Sequence, residues 1–449
     1  MVLIEVKGII TKVYGRDSFA YILHNGNAPV ELTSTEFFQQ GESVRALCRS
    51  EEKSGKTILI AEKIEKCNDI YFEIEEKLER SAKLSMSSSI LNSKLSTPCF
   101  ISNSNKYDIE KIARKLYAAQ QLGRFIIVKF HGDADGIVGA LILRKFLKAN
   151  YFQQNSAIYS VENAIKDIEK TGQQFRPLLI MVDFGSGEDS SAALALAKAG
   201  GIELISIDHH PPNDVSTSHF TLSLNPWNSE NVDGSEYPAG LLCAMLASML
   251  GIESHGLEKI ACAGDKSTVL PISDEDKNKA LVLDFVATYS GFGNGIEFYS
   301  NVLSKSELFD SILAQANAKL EETDRILKKN IKCKSTQNIE IFLFNLDNIA
   351  EKNEFPNRGK ITGRIFDLVN KENKEKSVAV IGYSKKTLIL RFNNSLVSKG
   401  VRANEIIRQM RNNFSDFIEN GGGHARAAAL RIKEGFENVA IDEIIKMIT

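Results

Sequence analysis

The sequence predicts an α/β protein with a small N-terminal β-barrel, an α/β domain on a parallel sheet, a helical connector and a smaller C-terminal α/β domain. Three features predict it. Residues 1–67 alternate apolar and polar in short runs cut by turn residues. From residue 124, continuous apolar runs take turns with helix-spaced ones, the pattern of parallel strands joined by crossover helices. After a polar helical stretch, strand patterns return at residue 338.

In the first segment, LIEVKGIITKV, FAYILH, PVELT, ESVRALCR and KTILIAEKI read as five strands. Turns at Gly15-Arg16-Asp17, Asn25-Gly26-Asn27 and Lys53-Ser54-Gly55 separate them, with one helical turn expected at residues 34–39. Five short strands suit a Greek-key barrel of OB type. Tyr14, Phe19 and Tyr21 are candidate base-stacking rings, against the plainer reading that they pack the barrel. Lysine plus arginine equal aspartate plus glutamate here, nine against nine. Charge therefore gives nucleic-acid binding no support in this segment, and a protein-docking barrel stays open.

Residues 68–105 turn helix-favouring (YFEIEEKLERSAKL) and then Ser/Asn-rich, a connector. A helical pattern follows at 108–121. Within the domain at 106–275, RFIIVKF, LLIMVDFG and IELISIDHH read as buried strands, with IVGALILRKFLKAN and SSAALALAKAG as the helices between them. Residues 276–335 read as a helical connector containing one long amphipathic helix. In the last domain, 336–449, IEIFLFNL, SVAVIGY and TLILRFN are strands, VRANEIIRQMRNNF is a helix and ENGGGHARAAAL is a loop.

Composition narrows the class. With 449 residues, 43% hydrophobic and 25% charged, the chain has ordinary globular composition and room for several cores. No apolar run reaches the roughly 18 residues needed to span a bilayer. The opening MVLIEVKGII lacks the basic-then-apolar layout of a secretory leader, so the expectation is a cytoplasmic chain without a membrane partner. Cys48, Cys67, Cys99, Cys243, Cys262 and Cys333 form no CxxC pair, which argues against a disulfide framework or a zinc–thiolate site. Net charge is −2, yet residues 383–433 hold ten lysines and arginines against three acids. That stretch is either a phosphate-attracting surface or a solvated face.

Four segments carry the chemistry: His131-Gly132-Asp133-Ala134-Asp135-Gly136, Asp183, Asp208-His209-His210 and Gly264-Asp265-Lys266-Ser267. Three follow parallel strands, and ligands of open parallel sheets bind beyond the strands' carboxyl ends. Taken singly each has a plain reading. Asp133 caps a helix, Asp183 ends a strand, Asp208-His209-His210 is a surface cluster and Gly264-Asp265 is a helix stop. Together they would bring several anions into one crevice, which repel unless a cation sits among them. Carboxylate oxygen mixed with imidazole nitrogen suits Mn²⁺ or Mg²⁺, and two such ions are a standard device for phosphate-ester hydrolysis.

HGDADG, VDFG, DHH and GD occur in the order of the DHH phosphoesterase superfamily, which this sequence resembles. Gly421-Gly422-Gly423-His424, with Ala427 and Ala428, is similar to the glycine signature of the DHH-associated domain. The HxDxDG form and the N-terminal barrel most resemble archaeal RecJ-like single-strand nucleases. The resemblance implies that His131, Asp133 and Asp183 hold one ion, and that Asp135, Asp183, His209 and Asp265 hold the other. It also implies that His210 touches the scissile phosphate while Asp208 orients the histidines. In the second domain it implies that Arg391, Gly421, Gly422, Gly423, His424 and Arg426 bind substrate. Ala425 stands where relatives often have proline, so a more pliable loop is expected.

The implied function is a single-strand DNA or RNA exonuclease with two Mn²⁺ or Mg²⁺ ions, serving replication or repair beside a protein partner. The alternatives are a phosphodiesterase for short oligonucleotides or dinucleotides, and a non-catalytic replication or repair scaffold of the same fold.

Overall fold

Alternation builds the first unit of this computed structural model, which describes residues 3–16, 18–53, 56–84, 103–229, 232–290, 295–336, 338–349 and 354–449. β1 (Ile4–Tyr14), β2 (Phe19–His24), β3 (Pro29–Ser34), β4 (Ser43–Lys53) and β5 (Lys56–Lys66) close into a barrel of order β1-β2-β3-β5-β4. A short parallel contact, Leu32–Leu59 and Thr33–Ile60, seals it. Val6, Ile10, Tyr21, Leu23, Leu32, Val44 and Ala46 fill the interior. In place of the helical turn expected at residues 34–39, Ser34 ends β3, 35–36 form a bend and 37–39 are irregular. The Tyr21 hydroxyl lies there, donating to Glu36 O at 2.6 Å and accepting from Phe38 N at 2.9 Å.

Ile9, on the outer face of the barrel, packs against Tyr71, Ile74 and Leu78 of the helix Tyr71–Ser81 and Ala118 and Leu122 near the end of the helix Asn103–Gln121. Gln40 donates to Gly123 O at 2.7 Å, and Arg176 pairs with Asp69 at 3.0 Å while lying over the Tyr71 ring. Of the Ser/Asn-rich connector expected at residues 85–105, residues 85–102 lie outside the described residues, and 103–105 already belong to the helix Asn103–Gln121.

The second unit has a five-stranded sheet of order β10-β9-β8-β6-β7, parallel throughout: β6 (Ile126–His131), β7 (Asn150–Gln154), β8 (Leu178–Val182), β9 (Glu203–Ile207) and β10 (Leu222–Leu224). β6, β8 and β9 are buried on both faces, which is why they read as unbroken apolar runs. Periodicity does not reveal the short edge strands β7 and β10. It runs the preceding helix on toward NYFQQ, but that helix covers only Ala134–Leu143. The chain leaves β6 toward β7 and then returns to the other side of β6 as β8, so the topological switch point lies between β6 and β8.

Gly123, which holds barrel residue Gln40, and Arg124 and Arg176, which pair with Glu75 and Asp69 just after the barrel, precede β6 and β8. The barrel therefore sits at the amino ends of the parallel strands, opposite the edge where ligands bind.

The helix Ser306–Asn330, about 37 Å long at 1.5 Å per residue, packs Leu308 and Phe309 on the second unit and Leu327 in the third. The third unit has a sheet of order β11-β12-β13-β14-β16-β15. Its strands are β11 (Lys332–Ser335), β12 (Ile339–Asn345), β13 (Ser377–Tyr383), β14 (Thr387–Phe392), β15 (Ile418–His424) and β16 (Ala427–Ile432). Only the β12–β13 pair is parallel. The three glycines do not form a loop. They lie in β15, paired with Leu430, Ala429 and Ala428 of β16. Gly423 has φ of 142°, and a Cβ there would collide with the Ala427 carbonyl.

Candidate metal centre and substrate cleft

β6 ends on His131, and Asp133 caps the next helix, one oxygen accepting Gly136 N–H at 3.1 Å. The plain reading of Asp133 is thus correct, but it engages only half of the carboxylate. The other oxygen lies 2.7 Å from His131 Nδ1. A Cβ at position 136 would strike the His131 backbone, so the tight return of chain requires glycine.

Asp183, just past β8, is buried and left-handed at φ 66°. Such a conformation costs a non-glycine residue of order 1–3 kcal/mol and tends to be held at functional sites. One Asp183 oxygen lies 3.3 Å from His131 Nδ1; the other lies 3.2 Å from His209 Nε2 and 3.7 Å from His210 Nδ1. His209 Nε2 also lies 3.0 Å from Asp265 and 3.8 Å from Asp135. The structure therefore brings all six candidate ligands together, as groups His131–Asp133–Asp183, Asp135–His209–Asp265 and Asp183–His209–His210.

Asp208 is fully buried and accepts from Ser186 N, His210 N and His210 Nδ1, the last at 2.8 Å. It holds His210 but makes no hydrogen bond to the His209 ring. The His209 backbone is instead held by Trp227 Nε1, which donates to His209 O at 2.8 Å, and Asn225 donates to His210 O at 2.9 Å. Sequence reasoning missed both; that Trp227 is the single tryptophan of the chain was the available signal. Asp135 accepts Ala239 and Gly240 N–H, each at 2.7 Å, at the start of the helix Ala239–Met249.

Electrostatics tests whether these residues fit divalent cations. Burial, then the neighbouring Asp183 and Asp265, push Asp135 well above the carboxylate range. Burial and Asp133 raise Asp183. Burial would lower His131 and His209, but the facing carboxylates outweigh it and raise both well above their ordinary value. A crowded, buried set of acids that must borrow protons is what bound cations would relieve. Moreover, Asp183 Oδ1 and His209 Nδ1 are buried without a well-formed hydrogen bond. The donor set of carboxylates and imidazoles without thiolate fits Mn²⁺ or Mg²⁺.

The third unit faces this cluster. Arg391, on β14, is half-buried, with its Nε buried and unpaired; burial lowers its pKa, opposed by Asp265 and Asp367. Burial, then Arg391 and Arg426, lower His424 to about 4, and His210 acts on it in the same direction. Arg426, expected to bind substrate, is held across the cleft by Glu236 at 3.0 Å and Asp233 at 3.4 Å. Arg411 reaches Glu188 and Asp189, each at 3.4 Å, and Lys266 pairs with Asp367 at 2.5 Å. Lys360, absent from the sequence-based candidates because it precedes the basic segment, pairs with Asp284.

Residues 125–260 match the DHH family N-terminal domain, and residues 351–449 match the DHHA1 domain. An uncharacterized protein of Methanocaldococcus jannaschii is 26% identical over 407 residues, 75% of this chain and 53% of that protein. The chain thus spans about half the length of the curated relative it matches. Among solved structures, a DHH domain described as a member of the s1p family of ribosomal proteins superposes with a TM-score of 0.73 at 23% identity, covering 84% of this chain and 97% of that one. RecJ of Thermus thermophilus in complex with Mn²⁺ gives 0.47 at 17% identity, covering 78% of this chain and 55% of that one. Both domains are matched in order and the fold is shared with a solved DHH domain, so the chain carries a DHH domain followed by a DHHA1 domain.

Proposed function

We propose that the chain is a divalent-metal-dependent phosphodiesterase that degrades single-stranded nucleic acid as an exonuclease. The observation that carries this reading is the placement of Asp183 between two groups of candidate ligands, one oxygen toward each histidine side. Divalent ions, when bound, supply neutralisation of charge on the attacking and leaving oxygens of a phosphate ester. The chain's own residues do the rest. Asp133 and Asp265 border the crevice, Asp208 fixes His210 for contact with the scissile phosphate, and Arg391 with His424 closes over the substrate from the second lobe. Neutral His424 offers a ring N–H to a phosphate oxygen without further crowding Arg391.

A second reading, short oligonucleotides or dinucleotides as substrate, is favoured by the basic segment. Lys385, Arg402, Arg411, Arg426 and Arg431 all have carboxylate partners, so half of its ten cations are already neutralised. The deciding experiment uses strands labelled at each end, DNA and RNA, beside a dinucleotide, with Mn²⁺, Mg²⁺ or chelator. Metal-dependent shortening of long strands from one end supports the exonuclease. Turnover of the dinucleotide alone supports the second reading, and no metal-dependent cleavage refutes both.

A further inference from the structure

Lys360 stands in the first turn of the helix Arg358–Glu372 of the C-terminal lobe. Its ammonium group pairs with Asp284 of the helix Asp274–Tyr289 in the DHH lobe. Asp284 is buried, and its other oxygen accepts the N–H of Ala134 at 2.9 Å. Ala134 lies between Asp133 and Asp135. Burial works against the Lys360 charge, while Asp133 and Asp265 are close enough to favour it. One inter-lobe ion pair is thus tied to the ligand turn by a hydrogen bond and to two candidate ligands by its field.

The two halves of this pair act in opposite directions. The closed lobe sets a positive charge beside the cluster, which opposes cation binding. Asp284 sets a negative charge beside the same cluster, which favours it. In a partly buried site, a charge near enough to interact with Asp133 and Asp265 contributes an energy that is large against thermal energy.

We propose that the Lys360–Asp284 pair is an electrostatic latch coupling closure of the C-terminal lobe to loading of the metal centre, with Lys360 as a positioning residue. The proposal rests on reading the cluster as a divalent-metal centre. Ions in the cluster repel Lys360 and favour the open lobe; an anionic phosphate entering the loaded site restores the attraction that closes it. Coupling between sites is reciprocal, so removing Lys360 favours metal binding. The signs separate this latch from simple bracing, since losing a brace weakens binding whichever partner is removed.

The test is Mn²⁺ binding to the full chain by titration calorimetry, beside small-angle scattering. Lys360→Met should bind Mn²⁺ about tenfold more tightly than the unaltered protein, and Asp284→Asn about tenfold more weakly. The amide oxygen of the Asp284→Asn variant can still accept from Ala134, so that change removes charge and keeps the hydrogen bond. The double variant should return near the starting affinity, and Lys360→Arg should behave like the unaltered protein. Mn²⁺ should increase the radius of gyration of the unaltered protein but not of Lys360→Met, which is open already. Lys360→Gln replaces the Met variant if that one does not fold. If both single variants weaken Mn²⁺ binding, or neither changes it, the latch is refuted and the metal reading stands. If the unaltered protein takes up no Mn²⁺, both are refuted.

Discussion

Asp183 Oδ1 lies 3.2 Å from His209 Nε2, buried and without a well-formed hydrogen bond, while the other oxygen of the same carboxylate faces His131. This carboxylate is shared by two of the three ligand groups. Asp183→Ala should therefore be the most damaging single change to Mn²⁺ binding, measured by calorimetry, and should abolish phosphodiester cleavage. Full metal-dependent activity of that variant would overturn the assignment.

The crowded cluster fixes a pH dependence for the metal-free protein. His131, His209 and His210 are raised by the carboxylates beside them, which outweigh burial, and Asp135 and Asp183 are raised by burial and by one another's neighbours. A raised folded-state pKa means that the folded protein holds more protons than the unfolded one, so stability falls as pH rises. For the histidines the contribution is full below about 6.5 and is lost as pH rises through their raised values. For the two aspartates, the folded state becomes disfavoured above the ordinary carboxylate range. The melting temperature without metal should fall as pH rises above about 6.5, and Mn²⁺ should recover it most at the alkaline end, where ligands need not release protons. A flat or rising profile without metal would show that the cluster is not built as described.

Arg391 and His424 face the cluster from the other lobe without belonging to it. Arg391→Ala and His424→Ala should each weaken binding of a phosphate-containing substrate by about 1.5–3 kcal/mol without weakening Mn²⁺ binding. Loss of Mn²⁺ affinity with substrate affinity intact would invert the division of labour between the lobes.

Removal of residues 1–67 should leave metal-dependent cleavage of a short oligonucleotide intact, because the barrel seats at the amino ends of the strands and the ligands lie at the carboxyl ends. The melting temperature should fall, since Tyr71, Ile74 and Leu78 lose the cover of Ile9. A truncated protein that is folded but cannot cleave the short substrate would mean that the barrel helps build the active site.

The barrel's aromatic residues divide differently from the sequence-based expectation. Tyr21 is fully buried and cannot stack a base, whereas Tyr14 is exposed and Phe19 packs edge-on against exposed Phe37. Tyr21→Phe strands the Phe38 N–H without its acceptor, so it should destabilise the protein by about 1–3 kcal/mol without altering affinity for long single strands. Tyr14→Ala and Phe37→Ala should reduce that affinity by roughly 1–3 kcal/mol for each ring that stacks a base. If neither does, the barrel is a docking module for protein.

Much of the fold is legible because parallel strands buried on both faces write themselves as apolar runs, and the residue after each run is placed by the sheet. That logic locates Asp133, Asp183 and His209 from the sequence. It misses β7 because an edge strand such as NYFQQ has no buried run to display, and it takes β15 for a loop because glycine masks strand patterning. Lys360, Asp284 and the partners of Arg426 are illegible for another reason. Pairings between residues 76 or 190 positions apart depend on how two lobes meet, which local periodicity does not encode.

β6 runs six residues from Ile126 to His131, about 20 Å, with the barrel seat before its first residue and the ligand cluster beginning at its last. That distance is beyond the roughly 8 Å over which charge is felt through physiological salt. If the barrel grips nucleic acid, a strand must round the flank of the domain to reach both ends. A fragment shorter than that path would then meet the cleft alone, so the length of β6 would set the shortest strand that both could hold.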